Sequence, residues 1–192
     1  MSQGGFINLR HNEIRDFTAK LMDEIHKDVR IEPELVKLTG EKFRLASANT
    51  TDDARVDVAA RGVWVTGQMA YFDIRVFNPI AKTYMKSDLA AAHRSNEMEK
   101  KRSYSQRVNK VDNGSFTPLV FLGGMSKECR ALFDRLACKI ADKRSWSYSL
   151  TVNWIRTRLN FHLLRSCLLC LWGSRSIYKP TEVTDDLNIL AV

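Results

Sequence analysis

Two aspartates at strand spacing are the residues of this chain best suited to chemistry. Asp57 in ARVDVAARG and Asp73 in AYFDIRVF have 15 residues between them, and each interrupts an apolar, β-branched run. An unpaired carboxylate inside a sheet is costly to bury, and a divalent cation would neutralise both. Because Mg²⁺ needs only one or two carboxylates together with water and phosphate oxygens, the pair predicts a site for phosphodiester chemistry.

The same aspartates also have a purely structural interpretation. Three arginines lie close enough in the sequence to form ion pairs with them: Arg55, Arg61 and Arg75. Alternation along a strand places Asp73 and Arg75 on one face, and Asp57 and Arg55 on one face of the neighbouring strand. The spacing alone leaves both interpretations open.

The charge of the chain favours a polyanionic partner. Its 192 residues, the length of one domain, contain 30 Lys and Arg against 22 Asp and Glu, a net charge of +8. The excess is concentrated at residues 94–110, within a predicted helix. Such a helix can follow a phosphate backbone or simply form a solvated surface.

The four cysteines lie in apolar surroundings, and no signal peptide precedes them, which predicts reduced thiols and an intracellular location. Cys167 and Cys170 form a C-x-x-C without further metal ligands, so core packing is predicted for them. Residues 152–172 form the most apolar stretch. Three arginines interrupt it, which predicts a buried helix and no membrane span. Four aromatic residues nearby are also predicted to be core: Trp146, Tyr148, Trp154 and Phe161.

The order of predicted elements defines the fold class. In chain order they are a helix at 10–28, an edge strand at 29–38, a loop at 39–53, a hairpin with strands at 54–64 and 68–78, a basic helix at 86–108, a strand at 116–122, and helices from Ser126 onward. Gly123, Gly124 and Ser126 predict a turn followed by a helix N-cap. The sequence therefore predicts an α/β fold with an αβββαβ core and additional C-terminal helices.

This order resembles the core of the PD-(D/E)xK, or restriction-endonuclease-like, nuclease superfamily. The nearer resemblance is to the restriction-like endonuclease domain that follows the reverse transcriptase in some LINE-type retrotransposons. It covers about residues 4–175 and rests on four features: RHN at 10–12, R-x-D at 55–57, FDIRV around Asp73, and EKKRSY at 99–104. The predicted organisation is a leader at 1–8, a single domain at 9–180 (core 9–122, helical part 123–180) and a mobile tail at 181–192.

The resemblance implies a DNA endonuclease that depends on Mg²⁺ or Mn²⁺. Asp57 and Asp73 would bind the metal, whose bound water would attack the phosphorus, while Lys100 steadies that water or the developing charge. Arg75 would hold a non-bridging oxygen. Glu13 would be a further ligand or orienting group, or would only complement the helix dipole. The expected nucleic-acid contacts are Arg10, His11, Lys101, Arg102, Tyr104 and Arg107.

The sequence departs from the family pattern at two positions. Val56 replaces the proline before the first aspartate, and Arg75 replaces the lysine two residues after the second. Arginine stays protonated, which suits phosphate clamping but not assistance of a metal-bound water. In the retrotransposon branch of the family the working lysine lies on the following helix, so the resemblance implies that Lys100 is the chemically active residue. In the family a zinc-binding segment precedes the GGF-like stretch found here at 4–6, so the resemblance implies either a fragment of a longer polyprotein or a host copy of its end.

Three functions remain open at this point. The first is an active endonuclease acting on DNA, or on an RNA–DNA hybrid, in the nucleus. The second is a catalytically degenerate nuclease fold that binds DNA or RNA without cleaving it. The third is an interaction domain with no nucleic-acid role.

Overall fold

The computed structural model of the protein describes residues 4–36, 55–76, 88–121 and 124–173. The elements in chain order are α1 (Gly4–Ile25), β1 (Lys27–Ile31), β2 (Val58–Arg61), β3 (Met69–Val76), α2 (Leu89–Lys110), β4 (Ser115–Phe121), α3 (Lys127–Arg144) and α4 (Tyr148–Gly173). The predicted α/β class is confirmed. The order αβββαβ followed by two helices is also the one predicted.

A single mixed sheet runs in the order β1-β2-β3-β4. The pairs β1–β2 and β2–β3 are antiparallel, and β3–β4 is parallel, with α2 as the crossover between the parallel strands. The β2–β3 connection confirms the predicted hairpin, with Gly62 and Gly67 at φ values of 78° and 81° that favour glycine. Pro118 fits within β4 because β4 is an edge strand.

The core lies between the sheet and the helices. From α1 it receives Ile14, Phe17 and Leu21, with Ile25 partly buried beside them, so these four residues form the apolar stripe of α1; from α3 it receives Leu132 and Leu136. Ser126 caps α3 by accepting a hydrogen bond from the backbone of residue 129, which confirms the predicted N-cap. This packing fixes α1 against the sheet, on which the site described below depends.

Several predicted boundaries differ from the structure. The first helix begins at Gly4, within the stretch predicted as a leader, and ends at Ile25 because the chain enters β1 two residues later. The strand predicted at 54–64 is reduced to β2, since Arg55 forms only an isolated bridge with Glu34. The predicted loop at 39–53, the tail at 181–192, and the side chains of residues 167 and 170 lie outside the described residues.

The prediction of a buried apolar helix after residue 152 is wrong for the side chains described. Helix α4 buries Thr151, Ile155 and Leu159, one residue per turn, whereas Phe161 and Leu164 are 67% and 57% exposed. The reason is that α4 packs on α1 and α3 as an outer layer, so only one of its faces meets the core. No helix within the described ranges has a stretch long and apolar enough to cross a membrane.

The core prediction also fails for most of the aromatic group. Trp146 and Tyr148 are exposed, as is Phe161, while Trp154 is half-buried and packs against the core. Leu150, Val152 and Ile155, which lie among these aromatic residues in the sequence, are respectively exposed, half-buried and buried, because they lie on different faces of α4. Aromatic surface is therefore available on α4.

His26, which joins α1 to β1, provides a pH-dependent contribution to stability. Burial and, next, the positive charge of Lys139 lower the pKa of this histidine, which is about 4. The folded protein therefore keeps His26 neutral at pH values where the unfolded chain binds a proton. Stability that is fully present above pH 6.5 is lost as the pH falls toward 4.

We expect the free energy of unfolding of the wild type to fall by about 1–3 kcal/mol more than that of His26→Gln between pH 7.5 and pH 4.5. Glutamine removes the titrating group and leaves a polar side chain of similar size. Denaturant titration at both pH values measures the difference. Parallel pH dependence of the two proteins would show that His26 is protonated equally in the folded and unfolded states.

Candidate active site

The hairpin of β2 and β3 places the two predicted aspartates side by side. Val58 pairs with Phe72, and continuing this register sets Asp57 opposite Asp73. Directly opposed residues in an antiparallel pair project from the same face. The backbone N–H of Asp57 donates to the Phe72 carbonyl at 3.0 Å, which fixes the end of β2 against β3.

The Asp57 carboxylate is held by both a strand and a helix. Its Oδ2 accepts a hydrogen bond from the backbone N–H of Ile74 at 2.5 Å and lies 3.1 Å from Nε2 of His11 on α1. The side chain is 16% exposed. Its orientation is thus set by neighbours on two sides while it keeps access to solvent.

Oxygen acceptors surround the His11 ring. Nε2 lies 3.2 Å from the Ile74 carbonyl as well as close to Asp57, and Nδ1 lies 3.4 Å from Oδ1 of Asn12. Burial lowers the pKa of His11, but the hydrogen bond and negative charge of Asp57 outweigh it, so the pKa is raised above its usual value. The structure thus favours the protonated, positively charged form of His11 next to Asp57.

Asp73 is the most buried acidic group at the site, with 6% exposure. Burial and, next, the charge of Asp57 raise its pKa, Lys100 and His11 oppose the increase, and the resulting pKa is about 6. Lys100 Nζ lies 2.8 Å from Asp73 Oδ2. The two aspartates are therefore close enough to repel each other and to require positive charge between or beside them.

Lys100 reaches the site from the crossover helix α2. Burial lowers the pKa of Lys100, but its ion pair with Asp73 raises it to above its ordinary value, so the amine stays protonated. One turn later, Tyr104 has its ring centroid 5.7 Å from Lys100 Nζ and stacks on Phe116 at 5.4 Å. Burial and the charge of Asp73 raise the pKa of Tyr104, so its hydroxyl remains a hydrogen-bond donor.

Arg75 lies at the rim of the site. Its Nη1 is 2.7 Å from Oε2 of Glu99, the residue before Lys100 on α2, and its side chain is 31% exposed. The other two arginines of the structural interpretation also have carboxylate partners away from the aspartates: Arg55 with Glu34 and Arg61 with Asp28, each at 2.9 Å. These ion pairs do not supply the positive charge that Asp57 and Asp73 require.

The structure corrects the prediction of Glu13 as a ligand. Glu13 lies about 200° around α1 from His11, and its Oε1 is 3.5 Å from Nε of Arg165 on α4. Because α1 packs on the sheet with one side, a residue on its opposite side meets a different element, which for Glu13 is α4. Nearness in sequence to the apolar stripe could not decide which neighbour Glu13 meets.

Two of the predicted nucleic-acid contacts instead support the backbone. Arg10 and Arg107 are 8% and 6% exposed, and they donate to the carbonyls of Val76 and Val36, respectively. Lys101 forms an ion pair with Glu128, and Arg102 is exposed on α2. Of the predicted contacts, Arg102 is thus exposed, and His11, Lys101 and Tyr104 are partly exposed. Sequence reasoning also missed that His11 contacts a carboxylate.

The donor set fits a hard divalent cation. Within the described ranges, no group of three or more His, Cys, Asp or Glu side chains is placed to hold a metal ion. Mg²⁺, however, is usually bound through one or two carboxylates with water and substrate phosphate. Asp73 Oδ2 is buried, and its contact with Lys100 is an ion pair without the angles of a hydrogen bond. That oxygen keeps lone-pair capacity for a metal.

Comparison with known proteins gives no family assignment. No protein-family model matches the chain, and no curated protein matches its sequence. Its function must therefore be inferred from the site itself.

Proposed function

We propose that the chain is a metal-dependent DNA endonuclease domain of the restriction-endonuclease-like type, derived from a LINE-type retrotransposon polyprotein. The observation that supports this most is the meeting of Asp57, Asp73 and Lys100 at one point. Burying two carboxylates and an ammonium together costs several kcal/mol per ion in order of magnitude unless the charges compensate each other. Such an arrangement is typical of a site that handles charged substrates.

Each side chain has a role that follows from its surroundings. Asp57 and Asp73 would hold Mg²⁺ or Mn²⁺, which supplies Lewis acidity toward a phosphodiester and makes hydroxide available at neutral pH. Lys100, kept protonated by Asp73, stabilises the negative charge that develops on the phosphate. His11 fixes the orientation of the Asp57 carboxylate.

The surface around the site suits a phosphate backbone. Arg75 at the rim can fork two donors onto a non-bridging oxygen, and the Tyr104 hydroxyl can donate beside it. Arg94, Arg102 and Lys110 are exposed along α2. A DNA or RNA–DNA hybrid substrate, and a location in the nucleus, belong to this proposal.

A second candidate function is nucleic-acid binding without cleavage, by a degenerate nuclease fold. One observation favours it: both carboxylates already have a cationic neighbour, Lys100 at 2.8 Å from Asp73 and His11 at 3.1 Å from Asp57. In this arrangement the protein's own cations would replace the metal.

A plasmid-nicking assay separates the two candidates. With Mg²⁺ we expect supercoiled plasmid to be converted to nicked circles, and with EDTA we expect no conversion. DNA affinity should fall by about 0.9 log units per log unit of salt for each phosphate neutralised, and Arg102→Glu should flatten that slope. Salt-dependent binding without nicking would favour the binding module, while an affinity independent of salt would contradict both candidates.

A further inference from the structure

An open cavity of about 500 Å³ lies between α1 and α4. Its walls include Glu13, Phe17, Lys20, Trp154, Arg158 and Arg165. The α1 residues among them lie roughly opposite His11 around the helix axis, so the cavity opens away from the Asp57–Asp73 site. Its volume is within the range of small-molecule sites, roughly 300–1,000 Å³.

Aromatic rings line two walls of this cavity. Trp154 is half-buried and packs against the core, and the guanidinium groups of Arg144 and Arg158 lie 4.8 Å and 5.8 Å from its ring centroid. Across the cavity, the rings of Phe17 and His162 are tilted by 41° with centroids 5.0 Å apart. A flat ligand can stack on Trp154 by taking the place of one of these guanidinium groups against the ring.

The cavity lining contains Glu13, Asp16 and Glu24 beside four basic side chains, and two of the basic ones have no carboxylate partner in the part of the chain that the structure describes. Arg144, at one end, forms two contacts with Glu24, at 2.5 Å and 2.7 Å. Within the described ranges, neither Lys20 nor Arg158 lies within ion-pair distance of a carboxylate. These two cations can bind an anionic group such as a phosphate.

A buried acceptor completes the set. Oε2 of Glu13 is buried and accepts no hydrogen bond in the part of the chain that the structure describes. The other carboxylate oxygen, Oε1, lies 3.5 Å from Nε of Arg165. A buried carboxylate oxygen without a donor is costly. Because the Glu13 side chain lines the cavity and is 21% exposed, a rotation of its carboxylate would bring this oxygen to a ligand N–H group that satisfies it.

We propose that this cavity binds one unpaired nucleotide of a single-stranded nucleic acid. The base stacks on Trp154, its exocyclic amino group donates to Glu13, and its phosphate lies between Lys20 and Arg158. A nucleotide requires a π-face, an edge acceptor and a cation, and the cavity offers all three. This is a second nucleic-acid contact, separate from the Asp57–Asp73 site and independent of cleavage.

The acceptor gives the cavity a base preference. Cytosine presents an amino group at N4, whereas thymine presents an acceptor oxygen at the same place. Glu13 should therefore favour cytosine over thymine by about tenfold, the order expected for one hydrogen bond to a charged group. The two pyrimidines stack similarly, so the comparison isolates this hydrogen bond.

The test is the binding of fluorescein-labelled oligodeoxycytidylate and oligothymidylate, each about eight nucleotides long, within the range of about 4–16 nucleotides that one single-strand-binding fold covers. Binding is measured by anisotropy in EDTA, with Arg102→Glu and Lys110→Glu present throughout to weaken contacts along α2. The oligodeoxycytidylate should bind about tenfold more tightly, and Glu13→Gln should bring the two affinities within about twofold. Because EDTA prevents cleavage, the result does not depend on the proposed endonuclease activity.

Arg158→Glu should weaken the binding of both oligonucleotides by about tenfold, because the phosphate contact is lost. The matched charge reversal Lys27→Glu, on exposed β1, should change neither affinity. Circular dichroism melting confirms that each variant is folded. Equal affinities for the two oligonucleotides in the parent protein, a preference that survives Glu13→Gln, or equal effects of Arg158→Glu and Lys27→Glu would each overturn the proposal.

Discussion

Asp57→Asn is expected to abolish Mg²⁺-dependent nicking, with a rate loss of about 10³-fold or more, while DNA binding stays equal or becomes tighter. The amide oxygen of asparagine can still accept the hydrogen bond from the Ile74 backbone, so the hairpin keeps its geometry. The charge that attracts a divalent cation is lost, and with it the repulsion between this carboxylate and a phosphate. Nicking rate and DNA affinity are measured on the same preparation.

Asp28→Asn is the matched control for this change. Asp28 has the same side chain and also forms contacts with arginines, Arg30 and Arg61, but it lies near the start of β1. Its substitution should leave nicking unchanged. If Asp57→Asn nicks at the wild-type rate, the metal assignment is wrong. If it instead weakens DNA binding and lowers the melting temperature, Asp57 is part of a structural ion pair with His11.

Lys100→Ala is expected to lower the nicking rate by about 10²-fold or more with little change in DNA affinity. The reason is its position: Lys100 Nζ contacts Asp73 inside the site, where it can act on the reacting phosphate but adds little to the exposed binding surface. Single-turnover nicking at saturating protein measures the chemical step apart from binding.

Lys101→Ala provides a neighbouring control, because Lys101 has the same side chain but pairs with Glu128 on α3. It should cut at nearly the wild-type rate. Arg75→Lys should be tolerated better than Arg75→Ala, since a phosphate contact needs only a cation at the rim. Normal cutting by Lys100→Ala together with inactive Arg75→Ala would show that the arginine on β3 takes the role assigned to Lys100.

Local patterns were enough to predict most of the fold. Alternating apolar residues and the turn at Gly67 predicted the hairpin, and Ser126 predicted the start of α3, because both signals act over a few residues. The extent of burial of α4 was not predictable in this way. Whether Phe161 faces the core depends on how a whole helix is placed on α1 and α3, which no local pattern encodes.

The residues of the candidate site also fall into two groups, those that local sequence patterns identified and those that they did not. Asp57 and Asp73 were identifiable because a carboxylate in an apolar strand is unusual wherever the strand is placed. Lys100 was placed by resemblance, and the structure brings it to Asp73. Arg10, Arg107 and Glu13 were predicted from their charge and position, but their partners, Val76, Val36 and Arg165, are 66, 71 and 152 residues away in the chain. Contacts at such separations follow from packing of the whole domain.

The buried Asp73–Lys100 pair has a consequence for how such a sequence changes over time. Its charges are desolvated, and replacing a buried ion pair by apolar residues of similar size is often neutral or stabilising, by about 1–4 kcal/mol. Under the proposed function, a copy of this chain released from selection for cleavage would have no stability barrier against losing both residues together, though it would face one against losing either residue alone. Decay of the activity should leave paired apolar replacements at positions 73 and 100 in a domain that still folds.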